Sequence, residues 1–467
     1  MQTLSTGRDP SRNTHVRRGA VLAVMCAGMF LVLLDVTIVN VALPAIGHGL
    51  HAGVPQLQWV VDGYAVVIAG LLLAGGTIGD RVGHRRVLLA GFAVFGLASV
   101  GCAAAPSAGV LVAARAVQGL GGALLLPTTM AVIADVFPER REQSRALGIW
   151  AAVSSLALPA GPLLGGVLVA TVSWRLVFWI NVPLVLGTVL AARRVVPTAR
   201  GRVGGRFDVG GLVASVVALA GLVFTIIQVG RGVGVPVVAA SAAVTGAAGF
   251  AAFRFERAAD QPILPLDLLR RPRFVSPNAV ALTMNLVFNG LLFVLMLYLQ
   301  DVLGRSALVA GLYVLPLAVP LVLLAPVSGR LTALRGPRSA ISLGCLLASA
   351  GAALLLGVRV DGGTGWLLAG FAVLGCGAGL VTASVVAAAV QATPADRSGL
   401  ATGVSNTARQ VGTATGVALF GAVAGSPADA GGFVSAVHAL AIAGAVLWLA
   451  AFAVAMTGIA HVPRQDR

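Results

Sequence analysis

A carboxylate stands at Asp35 inside an otherwise unbroken apolar run, Leu34-Asp35-Val36-Thr37-Ile38-Val39-Asn40-Val41-Ala42-Leu43-Pro44. The stretch from Ala20 to Ile46 is long enough to cross a bilayer, which takes about 20 residues at roughly 1.5 Å each. An acid at the centre of such a span costs on the order of 2.5 to 3.5 kcal/mol, so its retention points to a site for a proton or a cation. The competing reading is structural, a carboxylate paired with a neighbouring helix. Two more groups stand at similar depth. At roughly 1.5 Å per residue, Asp35 lies ~23 Å from the inner end of its span, Asp62 ~7 Å and Arg115 ~9 Å from the outer ends of theirs, so all three fit the outer half of one cavity. Arginine stays ionised almost everywhere and needs a carboxylate, carbonyls or water beside it. Two acids sharing one arginine would bind protons in coupled steps. Asp35 is therefore expected as the principal proton or cation site, Asp62 as a second acid and Arg115 as the group that adjusts both. Asp62, in Gln58-Trp59-Val60-Val61-Asp62-Gly63-Tyr64, equally suits an acid near the interface, solvated by water.

The elements that hold these groups follow from composition. A mean hydropathy of +0.95, with 58% hydrophobic and 10% charged residues, leaves too little polar surface to cover a soluble chain of 467 residues. The chain is an all-α polytopic membrane protein with fourteen apolar windows, the first near Ala20 and the last near Phe433. Basic residues outnumber acidic ones 32 to 16, and every basic residue is arginine. With the amino terminus inside, roughly 26 arginines fall on cytoplasmic segments and about four (Arg175, Arg231, Arg305, Arg359) on the other side, the positive-inside pattern. The basic excess thus reports topology, with both termini cytoplasmic, and not nucleic-acid binding. Arg17 and Arg18 before the first apolar run imitate a signal peptide, but Asp35 and the spans that follow favour an uncleaved helix. Cys26, Cys102, Cys345 and Cys376 lie within apolar spans without the close pairing of a metal site or a disulfide framework.

The windows divide as six, two and six: a tail 1–19, a first bundle 20–192, a basic linker 193–208, two extra central spans 209–253, a second linker 254–275, a later bundle 276–457 and a tail 458–467. A weak repeat supports this layout. Gly76-x-x-x-Asp80-Arg81-x-Gly83-His84-Arg85-Arg86 follows the second span, and Gly329-Arg330 with Gly336-Pro337-Arg338 follows the second span of the later half. Repeats of this kind build many secondary transporters, with the binding site between the halves near the midplane. The first copy reads as a latch or as an ordinary basic turn, since glycines permit a tight turn and Asp80 can cap a helix or pair with Arg81, Arg85 or Arg86. In span five, Pro159-Ala160-Gly161-Pro162-Leu163-Leu164-Gly165-Gly166 removes backbone donors and admits close approach, so this helix should bend.

These runs, with Arg115-Ala116-Val117-Gln118-Gly119-Leu120-Gly121-Gly122 and Trp174-Arg175-x-x-Phe178-x-Ile180-Asn181-x-Pro183, resemble the major facilitator superfamily, specifically its fourteen-span drug/proton antiporter branch, over nearly the whole chain. The resemblance implies two six-helix bundles with alternating access, a span-one carboxylate matched by Asp35 and a proton-linked span-four arginine matched by Arg115. It also implies that the Gly-Pro turn marks an exporter, and that Asp80, Arg81 and Gly83 belong to a cytoplasmic gate. The later half departs from the pattern. Ala333 stands where the family often has an aspartate, no acid falls within the expected spans nine to fourteen, and Arg409 in Asn406-Thr407-Ala408-Arg409-Gln410 has no acidic partner in its own half. Arg409 therefore contacts carbonyls, the opposite bundle or an anionic substrate group. Asn40, Gln118, Asn285, Asn289, Tyr298, Asn406 and Arg409 are candidates for the substrate cavity, although buried asparagines equally join helices. His48 and His51 are expected in a solvated outer loop.

A membrane enzyme is disfavoured by the absence of H-E-x-x-H and G-x-S-x-G, and an ATP-driven pump by the lack of any lysine to hold phosphates. No cofactor, metal or obligate protein partner is expected. The sequence thus predicts proton-coupled export of small lipophilic or cationic compounds across a bacterial plasma membrane. Its rivals are a narrow metabolite transporter of the same superfamily and, more distantly, a membrane sensor.

Overall fold

The computed structural model describes residues 10–197, 209–258, 268, 270–362, 364–393 and 398–459. Helices run through nearly all of them. The first half holds α1 (Pro10–Leu50), α2 (Val54–Val82), α3 (His84–Ala103), α4 (Ala108–Val136), α5 (Arg140–Ser155), α6 (Ala157–Thr171), α7 (Leu176–Trp179) and α8 (Asn181–Val195). Two central helices follow, α9 (Val209–Gly230) and α10 (Val235–Ala258). The later half holds α11 (Pro272–Leu297), α12 (Ala307–Arg335), α13 (Pro337–Leu354), α14 (Thr364–Gln391), α15 (Ser398–Ala424) and α16 (Ala430–Gly458).

Thirteen stretches of the described residues are long and apolar enough to cross a membrane. The thirteenth expected window corresponds to α15, which has 27 residues but carries Asn406, Arg409, Gln410 and several threonines and is not among these stretches. The ninth span also differs from its expected form. Helix α11 continues through a π-helical turn, Tyr298–Val302, and the apolar stretch Pro272–Val302 therefore contains Asp301. That acid corrects the expectation that spans nine to fourteen hold none.

The halves repeat one packing scheme. Helix α2 packs on α4, α3 on α4, α1 on α6 and α3 on α8; correspondingly, α12 packs on α14, α13 on α14, α11 on α15 and α13 on α16. The two halves meet through α2 with α15 and through α6 with α12, pairs that this correspondence exchanges. Close approach depends on glycine. A side chain at Gly412 or Gly416 of α15 would run into the Leu282 or Leu286 backbone of α11, the small-residue contact that joins helices where the hydrophobic effect is weak. Helices α9 and α10 pack on each other, and α9 also covers the α2 and α15 seam. Its Val223 and Ile227 are buried with Ala65 and Val66 of α2 and Ala414 and Ala418 of α15.

Helix boundaries obey local chemistry. Ser107, Ser306 and Asp429 cap α4, α12 and α16 by accepting backbone N–H bonds from Val110, Val309 and Gly432. The connection from α2 to α3 is one residue, Gly83 at φ +99°, and that from α12 to α13 is Gly336 at φ +78°. Both conformations suit glycine alone, so the repeat read from the sequence returns as two equivalent single-residue turns.

Candidate proton-coupling site between α1 and α4

Asp35 is fully buried, and its carboxylate is ringed by donors from two other helices. Arg115 of α4 donates from Nη1 to Asp35 Oδ2. Gln118, one turn further along α4, donates to Oδ1 at 2.8 Å, and Asn181 at the start of α8 donates to the same oxygen at 3.0 Å. Ser99 of α3 closes the network by accepting from Gln118 at 2.9 Å and donating to the Phe95 carbonyl at 2.7 Å. Arg115 is held from further sides: Nε donates to the Val60 carbonyl of α2 at 3.0 Å, Nη1 to Gln118 Oε1 at 2.7 Å, and the guanidinium lies 4.2 Å from the Tyr64 ring centroid. A buried pair is tolerable when hydrogen bonds satisfy both partners in this way. The three donors fill three of the roughly four acceptor sites of the carboxylate, and a proton added to it would remove the negative charge that they face.

Among the expected cluster, Asp35 and Arg115 meet, whereas Asp62 joins neither. Asp62 is fully buried, and neither carboxylate oxygen has a hydrogen-bond partner. One turn along α2, Ala65 and Val66 pack into the seam with α9 and α15, away from the guanidinium of Arg115. Gln118, expected at the cavity, belongs to the Asp35 network. Asn181 and Ser99 are network members that sequence reasoning did not assign. Their signal was available for Asn181, in the Trp174 to Pro183 run, but a lone serine in α3 carried none. Tyr298 is turned from the cavity and donates to the Arg359 carbonyl at 2.6 Å.

A cavity of about 20 Å³ opens between the halves, bordered by Thr37 and Asn40 of α1, Pro162 of α6, Phe288 of α11 and Leu317 and Leu321 of α12. Its wall is almost wholly apolar. Asn285 and Asn289 of α11 each donate to the carbonyl one turn back, and Asn289 also reaches the Thr413 hydroxyl of α15 at 3.2 Å. Arg409 of α15 donates to the Thr382 carbonyl of α14 at 2.6 Å. Asn406, one turn before Arg409, is part-exposed on α15.

The Gly-Pro run of span five breaks the helix into α5 and α6. Pro159 lacks the N–H that would bond to residue 155, and the break falls there. A side chain at Gly161 would meet Thr37 and Ile38 of α1, and one at Gly165 would meet Ile38 at 3.0 Å. Gly166 faces the other half, where a side chain would lie 2.7 Å from Leu308 Cα of α12. The motif thus joins α6 to α1 on one side and to the opposite half on the other. In the Gly76 to Arg86 run, Arg81 is in the last turn of α2, and Arg85 donates to the Arg193 carbonyl at the end of α8 at 2.5 Å. Arg86 lies in the first turn of α3, and Gly76 and Asp80 lie in α2, the side chain of Asp80 outside what is described.

Bonds that cross between the halves cluster toward the end carrying the α1 to α2 connection. Gln58 of α2 donates to the Ala418 carbonyl at 2.8 Å, Gln300 donates to the Val41 carbonyl at 3.0 Å, and His48 in the last turn of α1 lies 3.2 Å from Asp301. His48 is thus exposed, as expected, but paired.

The chain matches the model of the Major Facilitator Superfamily over residues 25–417, most of both halves. The chain belongs to the Major Facilitator Superfamily. Within it, the chain is 35% identical over 420 residues to the methylenomycin A resistance protein of Streptomyces coelicolor, covering 89% of this chain and 87% of that one. It is 34% identical to the tetracenomycin C resistance and export protein of Streptomyces glaucescens, covering 89% and 78%. It is also 32% identical to the multidrug efflux pump LfrA of Mycolicibacterium smegmatis, covering 91% and 84%. As a Major Facilitator Superfamily member the chain is a multi-pass membrane protein of a transporter family.

Proposed function

We propose that this protein is a proton-coupled antiporter of the fourteen-span branch, exporting small lipophilic compounds by alternating access. The observation that carries the reading is the buried Asp35 and Arg115 pair within the first half, with Asp35 on the same helix whose Thr37 and Asn40 border a small apolar cavity between the halves. Relatives named for antibiotic resistance, export and multidrug efflux support the direction and the substrate type. Helix α15 counts as a span in this reading, which brings the number to fourteen. Both termini face the cytoplasm of a bacterial cell in this reading, so the end joined by Gln58, Gln300 and His48 faces outward.

Asp35 exchanges the proton, Arg115 and Gln118 sense its charge, and loss of their bonds frees α1 to shift against α4. Asp62, a buried acid without a partner, is a second proton carrier at the α2, α9 and α15 seam. The run Gly76 to Arg86 gates the inner side, and Pro159 to Gly166 is the pivot. Everted vesicles containing the protein, energised to an acid interior, should release protons on addition of a transported antibiotic, while vesicles without it should not. Absence of release across a broad panel of lipophilic cations and neutral antibiotics would leave narrow metabolite transport as the better reading.

A further inference from the structure

Arg409 is the charged side chain least accounted for by the fold. It lies near the middle of α15, one turn before Thr413, and its own carbonyl accepts the Thr413 hydroxyl at 3.1 Å. Thr413 in turn meets Asn289, the neighbour in sequence of cavity-lining Phe288. A guanidinium carries five N–H donors, yet among the described residues Arg409 makes one hydrogen bond, to the Thr382 carbonyl, and its buried Nε has no partner. The residue is nevertheless part-exposed at mid-span. Lipid contact there is costly for a cation, which favours an aqueous path over lipid on that side of α15.

The negative groups point elsewhere. Asp35 is fully buried and its oxygens are occupied by Arg115, Gln118 and Asn181. Asp62 is fully buried in α2, one turn from residues packed at the α9 seam. Asp301 is engaged with His48 at the closed end. The cavity wall itself carries no charged side chain among its lining residues. Arg409 is not among them: it stands on α15, which packs on the cavity-lining helix α11 and adds one cation with unused donors.

We propose that Arg409 reads the charge of the transported compound, so that the cavity takes anionic or oxygen-rich aromatic molecules, a carboxylate or phenolate engaging the guanidinium, and rejects permanent cations. The inference rests on the export reading and narrows its substrate class. A planar guanidinium presents a fork matched to a carboxylate, and a second cation brought beside it without a counter-charge is repelled in a low-dielectric cavity. Specificity then comes as much from the repelled class as from the bound one.

Three fluorescent probes on one ring system test this: anthracene-9-carboxylate, 9-anthracenemethanol and (9-anthracenylmethyl)trimethylammonium, titrated against the purified protein in detergent. The carboxylate should bind at least tenfold more tightly than the ammonium. Arg409→Gln should cost the carboxylate about tenfold while leaving the alcohol within twofold, and Arg409→Lys should retain part of the carboxylate's advantage (a charged hydrogen bond is worth roughly 1.5 to 3 kcal/mol). Unchanged alcohol binding reports that the variant is folded; if Arg409→Gln loses it, the Arg409→Lys titration decides. Ammonium binding equal to or tighter than carboxylate binding, or carboxylate binding untouched by the substitutions, overturns the proposal. In proton-release vesicles, release driven by the ammonium alone would sink the charge assignment and keep export. Release by none of the three probes nor by any antibiotic in the panel would remove export and the assignment together.

Discussion

At the scale of single residues, the Asp35 and Arg115 pair behaves as a unit, and its members are not interchangeable with their neutral analogues one at a time. Arg115→Ala leaves a fully buried carboxylate with two remaining donors and should destabilise the folded protein by about 3 to 5 kcal/mol, read as a lowered Tm in detergent. The double variant Asp35→Asn, Arg115→Gln removes both charges and should recover most of that loss, because no uncompensated charge stays buried. A Tm for the double variant as low as for Arg115→Ala would mean that the guanidinium acts through packing on Tyr64 and not through the pair. The sequence exposed this pair because a charged residue in an apolar run is itself a signal. It left the third member open: depth along separate spans cannot tell which face of α2 carries Asp62, which lies one turn before Ala65 and Val66 at the α9 seam.

At the scale of elements, glycine decides how closely helices approach. Gly83 at φ +99° forms the whole connection between α2 and α3, so Gly83→Ala should cost about 1 to 3 kcal/mol and slow transport without altering substrate preference, measured by Tm and by initial export rates. The glycine at 166 has a different role, since a side chain there meets the Leu308 backbone of the other half at 2.7 Å. Gly166→Leu should hold α6 and α12 apart where they meet. Spin labels at His51→Cys and Arg305→Cys should report a longer distance by electron–electron resonance in that variant, and an unchanged distance would show that α6 and α12 do not set the closure. The turn and hinge glycines were legible as motifs, but which of them faces α1 and which faces α12 depends on helix rotation, which spacing alone leaves free. The split of span five at Leu156 followed from Pro159, whereas the π-helical extension that brings Asp301 into span nine has no comparable marker.

At the scale of the molecule, two halves with matching packing meet through a pair of equivalent seams, the geometry that lets one half rock against the other. The crossing contacts at the closed end are unequal in strength. His48 is 81% exposed in its side chain, so its bond with Asp301 is a surface pair worth about 0 to 1 kcal/mol, whereas Gln58 is buried and bonds two carbonyls of α15. His48→Ala should therefore leave the label distance nearly unchanged, and Gln58→Ala should broaden it toward open states; the reverse ranking would place the closure at the surface. Composition and hydropathy made the helical membrane architecture plain from the sequence. The roles of α9 and α15 were less plain, because one is apolar on nearly every face and the other is polar enough to blur its own span.

The central claim, that Asp35 is where a proton is exchanged for substrate, is tested most directly by substrate-triggered proton release in everted vesicles from the wild type, Asp35→Asn and Asp35→Glu. The account predicts release in the wild type, none above empty vesicles in Asp35→Asn despite normal insertion, and partial release in Asp35→Glu, which keeps a titratable carboxyl near Arg115. Full release in Asp35→Asn would contradict it.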